Sequence, residues 1–409
     1  MNASSRLAVA FSCIGHFQHH VLTGLFLTLV VMLERAWERP YDELIGLWTI
    51  GALLVGAGAP LAGWLADRFG HARMMAVFFL GAGAATIAAG LTAGPAPMTV
   101  ALAGLGLFGA IYHPVGLAWV TQAAPPGARG RVMGVAGIAG SLGVAAAALV
   151  AGGLAALFGW RTALILPGAL TFGLGLVLAA LIARGAFAGV GRVAQADGGT
   201  AAPAEDPAPE RTPRVVLAVL FVTLACGSIL FNAFATAVPK WLSEALETTD
   251  MATIGALVGF VFLFGSVAHL IGGWLADRVA LKPLYVASFA MKLPLLLVAG
   301  LVGGWPAVAV AALFTLMMDI GVPAENLLLA RYSSGRRRGL AFGIKYAMGF
   351  VAAPLGVGMV AALYGVGDRG FLAMFLALAG LTLAMLLAAL ALPGAEREAP
   401  ANARPLPAE

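Results

Sequence analysis

Charge is scarce in this sequence: Asp, Glu, Lys and Arg make up 11% of its 409 residues. A water-soluble domain carries about a quarter charged residues, so this composition excludes an ordinary soluble fold. Cysteine is scarcer still. Cys13 and Cys226 are the only two, each inside an apolar run, which leaves no disulfide framework and no Cys-based metal site. A phosphate loop ending in Gly-Lys-Ser/Thr is absent, so the chain holds no ATP-driven motor of that type. Gly104-Leu105-Gly106-Leu107-Phe108-Gly109 spells a dinucleotide pattern, yet it lies within an apolar stretch with no strand before it. It reads as a close-packing glycine face.

What fills the sequence is hydrophobic residue, 61% of all positions, with a mean hydropathy of +0.95. A membrane-crossing helix needs about 20 mostly apolar residues. Twelve such stretches are expected, starting near Leu7, Asp42, Arg73, Met98, Arg131 and Arg161, then Val215, Met251, Lys282, Pro306, Gly339 and Arg369. The fold class is therefore all-α membrane protein. The first stretch follows Arg6 directly and has no small-residue cleavage site, so it is expected to be a retained helix. Residues 185–213 and 393–409 turn polar and rich in Ala, Gly and Pro; they read as a cytoplasmic linker and tail. The divisions expected are thus a six-helix bundle over 1–184, the linker, a second bundle over 214–392, and the tail.

Lysines and arginines collect in cytoplasmic loops. Placing both termini inside puts most of them, including Arg336-Arg337-Arg338, on the cytoplasmic face. The net charge of +5 then follows from topology and contact with anionic headgroups, with no nucleic acid implied.

Six residues, Gly-Trp-Leu-Ala-Asp-Arg, occur twice, at Gly63–Arg68 and Gly273–Arg278, 210 positions apart. Pro114 and Pro323, and Arg129-Gly130 and Arg338-Gly339, repeat at an offset of 209. Two parallel halves of six spans each are the build of one class of secondary transporters, with the substrate site between them near the bilayer midplane.

These residues resemble the major facilitator superfamily. Its carrier signature stands here as Gly63-Trp64-Leu65-Ala66-Asp67-Arg68-Phe69-Gly70-His71-Ala72-Arg73, with a degenerate echo at Gly273–Arg278 that ends in Asp277 and Arg278. The resemblance implies a cytoplasmic gate of Gly63, Asp67, Arg68, Gly70, Arg73, Asp277 and Arg278, in which Asp67 holds the start of the eleventh span. Short loops that merely turn the chain are the plainer reading of the same residues. Gly15-His16-Phe17 and Tyr112-His113-Pro114 resemble the bacterial fosmidomycin-resistance type of exporter more narrowly. His20 and Val115 stand where acidic residues are found in that group. In the fifth span Gly137, Gly140 and Gly143 are present, with Val144 where the antiporter motif has a Gly-Pro pair.

Charges within the membrane cost about 2.5–3.5 kcal/mol each at a helix centre, so each invites a functional hypothesis. Asp319 lies twelve residues before Arg331 and Lys292 ten residues into the ninth span, roughly 18 and 15 Å deep, which predicts a pair. Glu325 and Lys345 reach roughly 9 to 11 Å by the same arithmetic and make a second pair feasible. Asp319 and Glu325 are about 240° apart around one helix, so only one of them is expected to face a cavity. Family resemblance puts the first, fourth, seventh and tenth spans around that cavity and makes Asp319 the proton- or substrate-binding carboxylate. Buried pairs that only lock helices together are the competing reading.

His16, His19 and His20 share a stripe of the first span, and His113 lies at a similar depth, roughly 14 Å, in the fourth. Imidazole titrates near physiological pH, so His16, His20 and His113 are candidates for carrying a coupling proton or binding a polar substrate group. A metal is not expected, because third and fourth ligands at fixed spacing are missing, and no cofactor is expected. Asn232, Gln18 and Asn326 add hydrogen-bonding groups and Phe17, Tyr112, Phe231, Phe234 and Tyr346 aromatic surface. No arginine falls mid-span in the first, fourth, seventh or tenth, which disfavours a strongly anionic substrate.

The combined expectation is a bacterial inner-membrane carrier, monomeric as this fold is by default, moving a small, mostly apolar or weakly charged molecule by alternating access, in exchange for protons and outward. An importer of a small organic acid, a lipid flippase, and a non-transporting receptor or assembly protein on the same scaffold are the alternatives.

Overall fold

A computed structural model describes residues 1–125, 128–190, 214–333, 338–366 and 370–393, and among these the regular structure is entirely helical. Most of the expected linker, Arg336, Arg337, Arg369 and the expected tail beyond residue 393 lie outside the described residues, as do the side chains of Arg338, Gly339 and Tyr346.

Helix α1 (Ala3–Trp37) starts at Asn2, whose side chain accepts the Ser5 N–H at 2.8 Å and so satisfies one of the free amides of the first turn. Helices α2 (Tyr41–Gly46) and α3 (Thr49–Phe69) complete the next crossing. Between α3 and α4 (His71–Gly90) stands a single residue, Gly70, at φ +92°. A side chain at that φ is strained, which gives the signature's second glycine a purely local cause.

Helices α5 (Pro95–Gly109) and α6 (Leu117–Ala123) form one crossing broken by a π-helical turn at Tyr112–Gly116. Proline inside a helix lacks the amide and clashes with the preceding turn, and Pro114 sits in that break. Helix α7 (Arg129–Ala183) is continuous except at Gly159, whose φ of 81° and ψ of 164° are not helical. Its 53-residue apolar stretch would be about 80 Å long at 1.5 Å per residue, far more than a 30 Å hydrocarbon core. It cannot be a single crossing.

The second part repeats the plan with α8 (Arg214–Ala245), α9 (Met251–Ala276), α10 (Leu281–Ala299), α11 (Trp305–Asp319), α12 (Val322–Tyr332), α13 (Arg338–Leu363) and α14 (Leu372–Leu390). Helices α11 and α12 are one crossing interrupted at Ile320–Gly321, just before Pro323. The two repeat-related prolines therefore interrupt equivalent crossings. Among the described residues ten segments are long and apolar enough to cross a membrane.

Large apolar side chains such as Val100, Leu157 and Leu270 are more than two-thirds exposed, as expected where the surroundings are lipid tails. The halves meet through small residues. A Cβ on Gly152 of α7 would strike the Met251 carbonyl, and one on Gly255 of α9 the Ala148 carbonyl, so the two backbones touch as in small-residue membrane interfaces. Both signature copies end alike: Arg68 lies 5.9 Å from the Trp64 ring and Arg278 4.2 Å from Trp274, with both tryptophans exposed, the position of interfacial anchors.

Candidate functional site

Between the halves lies a cavity of about 400 Å³, lined from the first half by residues of α1, α3 and α7 and from the second by α8 to α14. Its wall is mostly apolar, with Trp48, Phe231, Phe262 and Phe289 among the aromatics. The polar groups on it include His19, His20, Asn232, Lys292, Asp319, Glu325 and Lys345. Asp319 and Glu325 thus share one cavity, against the expectation from helical rotation. The break at Ile320–Gly321 falls between them, so a single helical phase does not span both.

Glu325 is fully engaged. Lys345 Nζ lies 2.8 Å from its Oε1 and also donates to Asn326 Oδ1, and the Tyr285 hydroxyl lies 3.1 Å from its other oxygen and 2.8 Å from Thr223 Oγ1. The second expected pair is therefore made. The first is not: no ion pair joins Lys292 and Asp319 among the described residues. Lys292 is buried, its ammonium 4.4 Å from the centre of the Phe289 ring. Asp319 sits instead against α9, where one oxygen occupies the space a Cβ on Gly265 would need. His269, one turn along, gives its Nδ1–H to the Gly265 carbonyl at 2.9 Å. Equal depth set no rotational position, and the two side chains face different neighbours. Asn232 donates to the Ser228 carbonyl at 2.9 Å, while Ser228 donates to the Gly349 carbonyl.

The histidines come together, although only two of them reach the cavity wall. His20 and His19 line the cavity, whereas His16 and His113 stand behind them; His19 takes the place expected of the other two. Ring centroids separate His16 from His20 by 5.0 Å, from His113 by 5.3 Å and from Tyr112 by 4.8 Å. The π-helical turn of the fourth crossing carries Tyr112 and His113 to this point, and such turns recur at functional sites. Tyr112 is fixed by its hydroxyl, which donates to the Ser12 carbonyl at 3.0 Å. His16 Nδ1 donates to the Ala136 carbonyl at 2.7 Å. Glycines admit these rings: a Cβ on Gly140 would overlap the His16 imidazole. Gln18 turns away from the cavity and donates to Thr171 Oγ1 at 2.7 Å.

Sequence reasoning missed a further cluster, at the end of the cavity away from the signature. Lys240 of α8 bonds Glu34 of α1 at 2.6 Å and lies 3.6 Å from Glu244. The Tyr364 hydroxyl donates to Glu244, the Tyr41 hydroxyl donates to the Thr236 carbonyl at 3.0 Å, and Arg35 donates to Thr249 Oγ1 at 2.8 Å. The Lys240–Glu34, Tyr41–Thr236 and Arg35–Thr249 bonds join the first part of the chain to the second. Glu34 and Glu244 are 210 positions apart, the same offset as the signature copies, and that was the available signal. At the signature end Asp67, Arg68, Gly70, Asp277 and Arg278 are exposed, and Gly63 and Arg73 are partly or fully exposed. The residues that Asp67 is expected to hold, at the start of α13, lie outside the described side chains.

The family model for the Major Facilitator Superfamily matches residues 13–291 and 220–409. The chain belongs to this superfamily. With ten segments long and apolar enough to cross a membrane among the described residues, it is a multi-pass membrane protein of that superfamily. Relatives include the puromycin resistance protein pur8 of Streptomyces alboniger, 41% identical over 110 residues, covering 26% of this chain and 22% of that one. A multidrug resistance protein B homolog of Mycobacterium tuberculosis is 30% identical over 171 residues, 40% and 31% of the two chains. The putative niacin/nicotinamide transporter NiaP of Bacillus subtilis is 28% identical over 173 residues, 41% and 42%. The chain thus spans less than half the length of these relatives.

Solved structures agree in fold. A bacterial homolog of the human lysosomal transporter Spinster, inward-facing and unoccupied, superposes with a TM-score of 0.73 at 14% identity, covering 95% of each chain. The peptide transporter POT in complex with sulfate gives 0.74 at 17% identity, covering 97% of this chain and 95% of that one.

Proposed function

We propose that this chain is a proton-coupled exporter of a small, mostly apolar or weakly charged molecule, with twelve crossings in two six-helix halves, residues 1–184 and 214–392. The count takes α7 as two crossings, broken at Gly159, and α13 as the eleventh. Both termini lie in the cytoplasm of a bacterial inner membrane, so the Glu34–Lys240–Glu244 cluster closes the outer end and the gate residues of the signature face inward. One chain is the working unit.

The observation that carries this reading is Asp319: a carboxylate on the cavity wall, with no ion pair among the described residues, next to Gly265 and within the same apolar cavity as Lys292. Such a group can take a proton in one state and release it in the other, or exchange a proton for a cationic substrate. Glu325, Lys345 and Asn232 shape the cavity beside it. The apolar wall suits a hydrophobic cargo, in keeping with the resistance proteins among the relatives. Lys292, held over a ring with no carboxylate bonded to it among the described residues, favours a second reading, import of a small organic acid, and the relative called a niacin/nicotinamide transporter points the same way.

Survival of an efflux-deficient bacterial strain on a panel of toxic small molecules separates these readings. Wild type is expected to raise tolerance to at least one compound, and an equally expressed Asp319→Asn variant to lose at least tenfold of that gain. Increased sensitivity with wild type indicates import, and an unchanged phenotype in Asp319→Asn rules out Asp319 as the coupling group.

A further inference from the structure

Three imidazoles from two crossings 97 positions apart in sequence, His16 and His20 on α1 and His113 in the π-helical turn, each present one ring nitrogen so that the three lie within 4.8 Å of one another. A fourth, His19, has its ring 4.8 Å from that of His113 and 5.1 Å from that of His20. His19 is buried and its Nδ1 has no hydrogen-bond partner among the described residues. An orphaned buried polar nitrogen is uncommon in a folded protein. Here it belongs to the same cluster, at the edge of the central cavity.

We propose that His16, His20 and His113 bind a divalent transition-metal cation of the zinc and cobalt class, with His19 or water completing the shell. Neutral imidazole donors suit zinc, cobalt, nickel and copper and are poor ligands for magnesium or calcium. Three histidines with one open position form a familiar zinc shell, with Zn–N distances of about 2.0–2.1 Å. Tetrahedral geometry then puts the nitrogens about 3.4 Å apart, so the rings close by about an ångström on binding.

His16 is already oriented for the task. Its Nδ1–H is spent on the Ala136 carbonyl, which leaves Nε2 as the free donor, and an outer-shell carbonyl of this kind fixes the tautomer of a metal-binding histidine. Gly140 leaves the space in which this ring sits. Access comes through His20, which lines the cavity. The missing fixed spacing that argued against a metal in the sequence is supplied in space, since the π-helical turn brings His113 to a helix that it does not follow in the chain.

The test uses the full chain purified in detergent, free of any histidine tag and stripped with chelator, titrated with Co²⁺. The expected result is one Co²⁺ per chain with the strong visible absorption of a tetrahedral site, displaced by Zn²⁺, and weakened at least tenfold by His16→Asn, His20→Asn or His113→Asn but not by His269→Asn. X-ray absorption at the zinc edge of the loaded wild type, which needs no variant to fold, is expected to give three or four imidazole nitrogens at about 2.0–2.1 Å. Absence of the absorption band, equal loss in His269→Asn, or an oxygen-only zinc shell overturns the proposal. These readouts are independent of transport, so they stand or fall apart from the export reading.

Discussion

At the residue scale the two lysines on the cavity wall behave differently. Lys345 and Glu325 form a pair whose side chains are 12% and 14% exposed, so removing one partner strands the other charge. Lys345→Met is expected to cost about 3 kcal/mol, the lower end for a broken buried pair because the cavity admits some solvent. The double variant Lys345→Met/Glu325→Gln is expected to recover most of that loss. Chemical unfolding in detergent of the two variants beside wild type measures both; equal stability of all three would mean that the pair holds nothing. This pair was legible in the sequence because depth along a helix follows from counting residues. The pairing of Lys292 with Asp319 was not, because azimuth depends on the interruption at Gly321 and on Gly265, which opens a place for the carboxylate on a different helix. His19 was likewise passed over for His16. The stripe of three histidines was visible, whereas the face it turns to the cavity is set by how α1 packs on α7.

At the element scale the interrupted crossings carry the site. Pro114 and Pro323 stand out in the sequence only as members of the repeat; the interruptions at both are seen in the structure, since proline removes an amide and disturbs the turn before it. Interrupted helices at corresponding positions of two halves mark the binding region of many carriers. What the repeat left open is that the first-half break is a π-helical turn that delivers His113. The glycines of the fifth crossing resolve in the same way. Gly137 and Gly140 look alike in sequence, but a Cβ on Gly137 meets nothing within 4 Å, while one on Gly140 overlaps the His16 ring. Gly140→Ala is therefore expected to destabilise by about 1–3 kcal/mol, the usual cost of overpacking, and Gly137→Ala to stay within about 0.5 kcal/mol of wild type. Unfolding midpoints of the two variants in one detergent make the comparison, and a neutral Gly140→Ala would show that α1 yields freely at this contact.

At the scale of the whole molecule, the duplicated signature pointed to the superfamily whose model matches the chain. The lock that closes one end was hidden, because charges at the ends of crossings look like ordinary loop residues until they are seen to meet. Lys240 ties α8 to α1 through Glu34, with side chains only 15% and 19% exposed. A charge-assisted bond of this kind contributes about 1.5–3 kcal/mol, or roughly a ten- to hundredfold shift in a two-state population. Alternating access requires this bond to break whenever the cavity opens on that side, so Lys240→Gln is expected to favour opening on that side by such a factor. A cysteine at Thr28, on the cavity wall, reports it when Cys13 and Cys226 have been changed to Ser. In intact cells, labelling of that cysteine by a membrane-impermeant maleimide is expected to be at least tenfold faster in the Lys240→Gln background. Equal rates would mean that the Gly152–Gly255 contact and the tyrosines hold this end shut without the ion pair. A rise only in inverted vesicles would place the lock on the cytoplasmic side and reverse the proposed topology.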